Sequence, residues 1–249
     1  MSKTDLAEAR ELHQCAIRLA DQQLPPGWEV VGSSGFAVVA HHRVREIYYK
    51  EFLPRSPIEQ LKALIKGSRG TRARRQNDAL LTAGFNAPVN LAWGKLSAGR
   101  EYVFTRAVSG SGVDRWLRET LNTDERRPER REFLHEMGIL VGRFHATGFI
   151  HGDMRTSNVL ANRTLDRLEF SLIDNERNGQ SKPAPGKQLL KNLMQLNMHT
   201  PTELSRSDRM RFFRAWHSQM RDISKLEAKL LAAQAYQWAM RRLKAKGKL

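Results

Sequence analysis

The chain has 249 residues, 40% of them hydrophobic and 27% charged, which suffices for a sizeable core and excludes a disordered chain. No apolar run reaches the ~18–20 residues needed to cross a bilayer, and the single cysteine, Cys15, excludes an internal disulfide and a cysteine-rich metal site. Lysine plus arginine outnumber aspartate plus glutamate by 42 to 26, a net charge of +16 that points to a nucleotide, nucleic acid, anionic membrane or phosphorylated substrate.

Residues 4–22 read as a helix with an apolar stripe of Leu6, Ala9, Leu12 and Ile17, ended by Pro25-Pro26-Gly27. The polar, mixed-charge start is not expected to be a secretory signal, so a reducing, cytoplasmic compartment is expected. From Trp28 the texture becomes β-rich, with short runs over 28–31, 36–40 and 45–52. Gly32-Ser33-Ser34-Gly35 separates the first two. Gly32 and Gly35 can lay backbone N–H groups over nucleotide phosphates; an ordinary hairpin turn accounts for them equally well. Lys50 shares a face of the third run with Tyr48 and Phe52, opposite Tyr49 and Glu51. An inward lysine there would pair with phosphates, whereas a snorkelling surface lysine is the common alternative.

Residues 57–83 read as one or two helices interrupted at 66–70. A kinase would place here a glutamate that orients the strand lysine. Glu59 is one candidate, and Gln76, Asn77 or Asp78 are polar substitutes; the sequence does not choose. The cluster Arg69, Arg72, Arg74 and Arg75 faces either a phosphorylated substrate, a membrane or plain solvent. Two more strands are expected over 89–94 and 101–108, and Ser109-Gly110-Ser111-Gly112 reads as a flexible join. The reading is an α+β chain: a helical extension over 1–27, a β-rich lobe over 28–108, and an α-rich lobe over 109–249. A ligand cleft is expected at the junction.

Beyond the join, residues 129–147 form an amphipathic helix that Gly148 ends. It delivers the chain into His151-Gly152-Asp153-Met154-Arg155-Thr156-Ser157-Asn158, and Asp174 follows a second apolar run. Phosphoryl transfer asks for groups of these types at these offsets. Asp153 would accept and orient the attacking hydroxyl, and Arg155 would neutralise the transferred group. Asn158 and Asp174 would hold Mg2+ on the phosphates of ATP, while His151 would fix the loop. Helices are expected over 187–196 and 205–221, the latter capped by Ser205 or Ser207. The basic segment 225–248 carries a stripe of Leu226, Leu230, Ala233, Met240 and Leu243. It suits either an anionic membrane surface or packing on the lobe.

The stretch from Tyr49 to Trp216 resembles the lipopolysaccharide core kinase family, the Kdo/heptose kinases of Gram-negative bacteria. The likeness is carried by Tyr48-Tyr49-Lys50-Glu51-Phe52, by Ala83-Gly84 to Pro88, by the His151–Asn158 loop and Ile173-Asp174, by the leucine-rich 189–196 and by 205–213. It implies a two-lobed protein-kinase-like fold and ATP-dependent phosphorylation of a sugar hydroxyl on the lipid A–core oligosaccharide. By position it implies Lys50 on the nucleotide phosphates, Asp153 as catalytic residue, and Asn158 and Asp174 on the metal. A lipid-linked acceptor also implies peripheral association with the inner membrane. The chain departs from protein kinases in its weak glycine loop, in lacking a glutamate over 71–81, and in having Asp174-Asn175-Glu176 for Asp-Phe-Gly. Competing readings are a protein kinase, disfavoured by the short segment after Asp174, and a non-catalytic pseudokinase that binds anionic partners. No nucleic-acid partner is expected, because no recognisable module for one is present.

Overall fold

The computed structural model describes residues 3–54, 67–165, 167–182 and 186–249. The chain divides into two compact units, residues 1–108 and 109–249.

Among the described residues, the first unit is a five-stranded antiparallel sheet with two α-helices. Helix α1 (Lys3–Ala20) precedes β1 (Trp28–Ser34), β2 (Ala37–His42) and β3 (Ile47–Phe52). Helix α2 (Arg69–Thr82) then leads to β4 (Asn90–Lys95) and β5 (Glu101–Arg106), and the sheet order is β1-β2-β3-β5-β4. Leu12, Ala16 and Leu19 of α1 pack on Trp28, Ala40, Ile47, Tyr49, Ala92, Tyr102 and Phe104. Ala9 and Leu12 of the expected apolar stripe meet this core, and the stripe is corrected at Ile17. The buried face follows the spacing 12, 16, 19, whereas Ile17 falls on another side of the helix and is 37% exposed.

A second correction concerns the glycine turn. Gly32 extends β1 and pairs with Val39 beside a bulge, and Ser34 pairs with Ala37, so the turn is the two residues Gly35 and Phe36. The arginines of α2 are largely used within the unit. Arg69 donates to the Phe36 carbonyl at 2.8 Å, Arg72 to the Gly67 carbonyl at 2.9 Å, and Arg74 stacks 4.5 Å from the centre of the Trp93 ring.

The second unit is mostly helical. The expected flexible join is instead partly a strand: β6 (Ser111–Gly112) pairs with Leu160 and Ala161, which fixes residues 111 and 112 by backbone hydrogen bonds. A helical turn (Val113–Arg115) continues as a π-helix (Trp116–Thr120), together α3. The long α4 (Arg127–Ala146) is followed by β7 (Phe149–Ile150), β8 (Val159–Arg163), β9 (Leu168–Leu172) and β10 (Gly179–Gln180). Helices α5 (Gly186–Leu196), α6 (Arg206–Gln219) and α7 (Lys225–Ala245) complete it. Ser205, not Ser207, caps α6, and its capping box with Asp208 satisfies two backbone donors.

Helices α4 and α6 approach closely because Gly138 and Gly142 lack side chains. A Cβ on Gly142 would lie 2.6 Å from the Trp216 carbonyl oxygen. Trp216 is thereby fully buried against α4. Between α6 and α7 lies a groove of about 770 Å³ with Met210, Phe212, Phe213 and Tyr236 on its walls and Arg206, Arg214, Lys225 and Lys229 among its lining.

Candidate active site

The loop from β7 to β8 carries four of the expected site residues, and α5 holds it. Asn192 is fully buried in α5; its Oδ1 accepts the His151 N–H at 3.0 Å and its Nδ2 donates to the His151 carbonyl at 2.7 Å. Gln195, one turn further on, accepts the Met154 N–H at 3.0 Å through Oε1. That bond fixes which end of the amide faces the loop. Nε2 therefore points at Asp153 and donates to its Oδ1 at 2.6 Å.

Arg155 places Nε 3.0 Å from the same Oδ1, although its side chain is 66% exposed. Among the described residues, no hydrogen bond reaches Oδ2 of Asp153. One carboxylate oxygen is held and the other is open. Asn158 is tethered likewise: its Nδ2 donates to the Asp153 carbonyl at 2.8 Å, and its Oδ1 takes no hydrogen bond among the described residues.

The β8–β9 hairpin sets Asn158 beside the segment that carries Asp174. Val159 pairs with Leu172, and the Ile173 N–H donates to the Asn158 carbonyl at 3.0 Å. Asp174 then adopts a left-handed conformation, φ 61° and ψ 46°, which aspartate tolerates better than most residues. His151 links the two segments. Its Nδ1 accepts the Asp153 N–H at 3.0 Å, so Nε2 carries the proton and donates to the Ile173 carbonyl at 3.0 Å. Burial disfavours the imidazolium and lowers its pKa.

Gly152 admits no side chain, because a Cβ there would lie 2.7 Å from the Arg177 carbonyl oxygen. Its N–H donates to Asn178 Oδ1 at 3.1 Å, and Asn175 is buried with its amide donating to the Leu172 carbonyl. In the Asp174-Asn175-Glu176 departure from Asp-Phe-Gly, Asp174 is exposed, while Asn175 and Glu176 are buried and Asn175 anchors the segment through its amide.

A further buried chain supports α5. Trp216 Nε1 donates to His145 Nδ1 at 3.0 Å, leaving His145 Nε2 to donate to Asn192 Oδ1 at 3.2 Å. Burial pushes the His145 pKa down to about 4.

The first unit holds the remaining expected residues. Lys50 lies on β3 with Nζ 5.3 Å from the centre of the Phe52 ring. Across the strand, Glu51 is buried, accepting from the Tyr49 hydroxyl at 3.0 Å and from Arg100 at 3.2 Å. Gly32 and Gly35 border open space. Of the candidates to orient Lys50, Glu59 lies outside the described residues. Asn77 donates to Asn90 Oδ1 at 3.1 Å, and Asp78 accepts from Asn90 Nδ2 at 2.8 Å.

Asn192 and Gln195 escape a motif-based reading because they lie some forty residues beyond the loop they hold. Their signal is two amides three residues apart inside the apolar run Leu189 to Leu196. Polar residues on the buried face of a helix need partners.

An antiparallel sheet unit, followed by a helical unit with a His-x-Asp-x4-Asn loop and an aspartate after the next hairpin, defines a protein-kinase-like phosphotransferase. The family model described as lipopolysaccharide kinase (Kdo/WaaP) matches residues 31–216, about three quarters of the sequence, and the chain belongs to that family.

The fold is similar to a solved structure described as WaaP in complex with acyl carrier protein. The TM-score is 0.61 at 20% identity, covering 86% of this chain and 88% of that one. The bifunctional kinase-methyltransferase WbdD is similar at a TM-score of 0.49 and 16% identity, over 84% of this chain and 50% of that one. No curated protein sequence gives a significant match.

Proposed function

We propose that the protein transfers the γ-phosphoryl group of ATP to a sugar hydroxyl, on Kdo or heptose, of the lipopolysaccharide core. The observation that carries this reading is the one-sided hold on Asp153. Gln195 and Arg155 both engage Oδ1, which leaves Oδ2 for an incoming hydroxyl. Oδ2 then orients that hydroxyl and receives its proton, as the hydroxyl oxygen bonds to the γ-phosphorus and the bond to the ADP oxygen breaks. Arg155, exposed and paired only at the surface, can turn to the transferring phosphoryl group.

Among the described residues, no cluster of three or more His, Cys, Asp or Glu is placed to hold a metal. One open amide oxygen on Asn158 and one carboxylate on Asp174 nevertheless fit Mg2+, which keeps waters and takes its other ligands from nucleotide phosphates. When bound, the ion supplies neutralisation of phosphate charge. Lys50 would pair with the nucleotide phosphates, with backbone N–H groups near Gly32 and Gly35 lying over them.

No described helix is long and apolar enough to cross a membrane. The basic-lined groove between α6 and α7 supports peripheral contact with the anionic face of the inner membrane. The groove would also suit an acyl carrier protein, the partner present in the neighbouring structure, since its apolar floor can take an acyl chain.

The test is transfer of labelled γ-phosphate from ATP to purified lipopolysaccharide. Asp153→Ala is expected to abolish transfer while the protein stays folded. Full transfer by that variant would overturn the reading.

A further inference from the structure

A polar cavity of about 630 Å³ lies in the second unit, away from the residues assigned above, between α3, the first turn of α4 and the start of α6. Its volume falls within the range of small-molecule sites. Five arginines line it, Arg118, Arg127, Arg130, Arg131 and Arg211, against three carboxylates.

Two of the carboxylates are spent on the fold. Asp208 is buried under Arg130 at 3.1 Å and completes the α6 cap. Glu203 accepts the Thr200 N–H at 3.0 Å. Asp124 pairs with Arg127 at 2.7 Å but is 84% exposed, so that pair is weak. Arg130 is likewise committed, donating to the carbonyls of Leu117 and Leu121 as well as to Asp208. Arg131 is different: it makes no ion pair or hydrogen bond among the described residues. Arg118 spends one nitrogen on Asp114 and keeps its other donors. The first turns of α4 and α6 also border the space, and each brings the positive end of a long helix.

The cavity is wired to the catalytic loop by two routes. Along the first, Arg118 holds Asp114, whose carboxylate abuts Gly112, and the Ser157 Cα lies 3.3 Å from the Cβ position of that glycine. Along the second, Thr156 hydrogen-bonds His199 Nε2 at 3.0 Å, and His199 Nδ1 lies 3.6 Å from Glu203. Ser157 and Thr156 lie between Arg155 and Asn158.

We propose that this cavity is an acceptor subsite, which binds a phosphate ester carried by the glycan whose hydroxyl is phosphorylated. Arg131 and Arg127 grip the anion through forked N–H pairs, the geometry guanidinium groups offer to phosphate and carboxylate. Binding energy taken there orients a sugar elsewhere on the same molecule toward Asp153. The inference rests on the acceptor being a glycan of the lipopolysaccharide core.

The experiment measures kcat and KM with two acceptors: phosphate-bearing core oligosaccharide, and the same material stripped of phosphate by hydrofluoric acid. The proteins are the wild type and Arg127→Ser/Arg131→Ser, two positions at the surface and outside the catalytic loop. For the phosphorylated acceptor, the double variant is expected to raise KM roughly tenfold to a hundredfold, the worth of charge-assisted hydrogen bonds. Its kcat, its KM for ATP and its KM for the stripped acceptor stay as in the wild type. An unchanged KM, or an equal rise with both acceptors, overturns the subsite.

Calorimetric titration of the oligosaccharides separates this from failure of the functional reading. If the wild type transfers phosphate to neither acceptor, binding of the phosphorylated oligosaccharide that the double variant loses still supports the subsite. Equal binding by both proteins, or none, overturns it. Inorganic phosphate that displaces the oligosaccharide at equal concentration would assign the cavity to a free anion and overturn the acceptor role.

Discussion

Gln195→Leu removes the donor to Asp153 Oδ1 at 2.6 Å and the acceptor for the Met154 N–H at 3.0 Å, at nearly constant volume. The first bond is made to a charged group and is worth about 1.5–3 kcal/mol. The second leaves a buried N–H unsatisfied, at about 1–3 kcal/mol. What then holds Asp153 is Arg155, whose side chain is 66% exposed and whose pull is screened by solvent. If the first bond serves to present Oδ2, kcat should fall roughly tenfold to a hundredfold, because about 1.4 kcal/mol is a factor of ten. KM for ATP should hold.

Gln195→Glu separates catalysis from folding. It keeps an acceptor for Met154 but puts a second carboxyl against Asp153, and two carboxylates that close cannot both ionise freely. At low pH the introduced carboxyl carries a proton and donates as the glutamine amide does; as pH rises and that proton leaves, kcat should collapse. The assay is a pH–rate profile with core oligosaccharide as acceptor, alongside thermal melts of each variant. A folded Gln195→Leu enzyme within twofold of wild-type kcat, together with a wild-type profile for Gln195→Glu, would refute the reasoning.

Acid should loosen the second unit. The folded-state pKa of His145 is depressed to about 4 from an ordinary 6.5, so its contribution is present above pH 6.5 and is lost as pH falls toward 4, about 3 kcal/mol in all. His151 is depressed as well and adds to the loss in the same direction; melting temperatures in that window should fall less steeply for His145→Gln. Gly142→Ala should cost about 1–3 kcal/mol in denaturant unfolding, since its Cβ meets the Trp216 carbonyl oxygen at 2.6 Å. Lys225→Glu/Lys229→Glu, which reverses charge at the α6–α7 groove, should reduce flotation with phosphatidylglycerol vesicles, and unchanged flotation would remove the groove from membrane contact.

The pattern of the candidate loop was legible because its residues are local. Asp153, Arg155 and Asn158 lie within six residues, and one β-hairpin brings Asp174 back beside Asn158. What orients them is not local. Asn192 and Gln195 act from another helix, and the His145–Trp216 bond joins residues 71 apart. Such partners leave only a diffuse sign, a polar residue where the helix period calls for an apolar one. Short elements fail for another reason. The two-residue strand β6 exists because Leu160 and Ala161 offer it an edge, and no propensity of Ser111-Gly112 would announce that. Gly32 was misplaced because a bulge lets β1 run past it.

The most direct test of the central claim is mass spectrometry of core oligosaccharide after incubation with the purified protein, ATP and Mg2+. The account predicts one added phosphate on a Kdo or heptose residue, present with wild type and missing with Asp153→Asn. Unmodified core in the presence of ATP turnover, or the same product from Asp153→Asn, would contradict it.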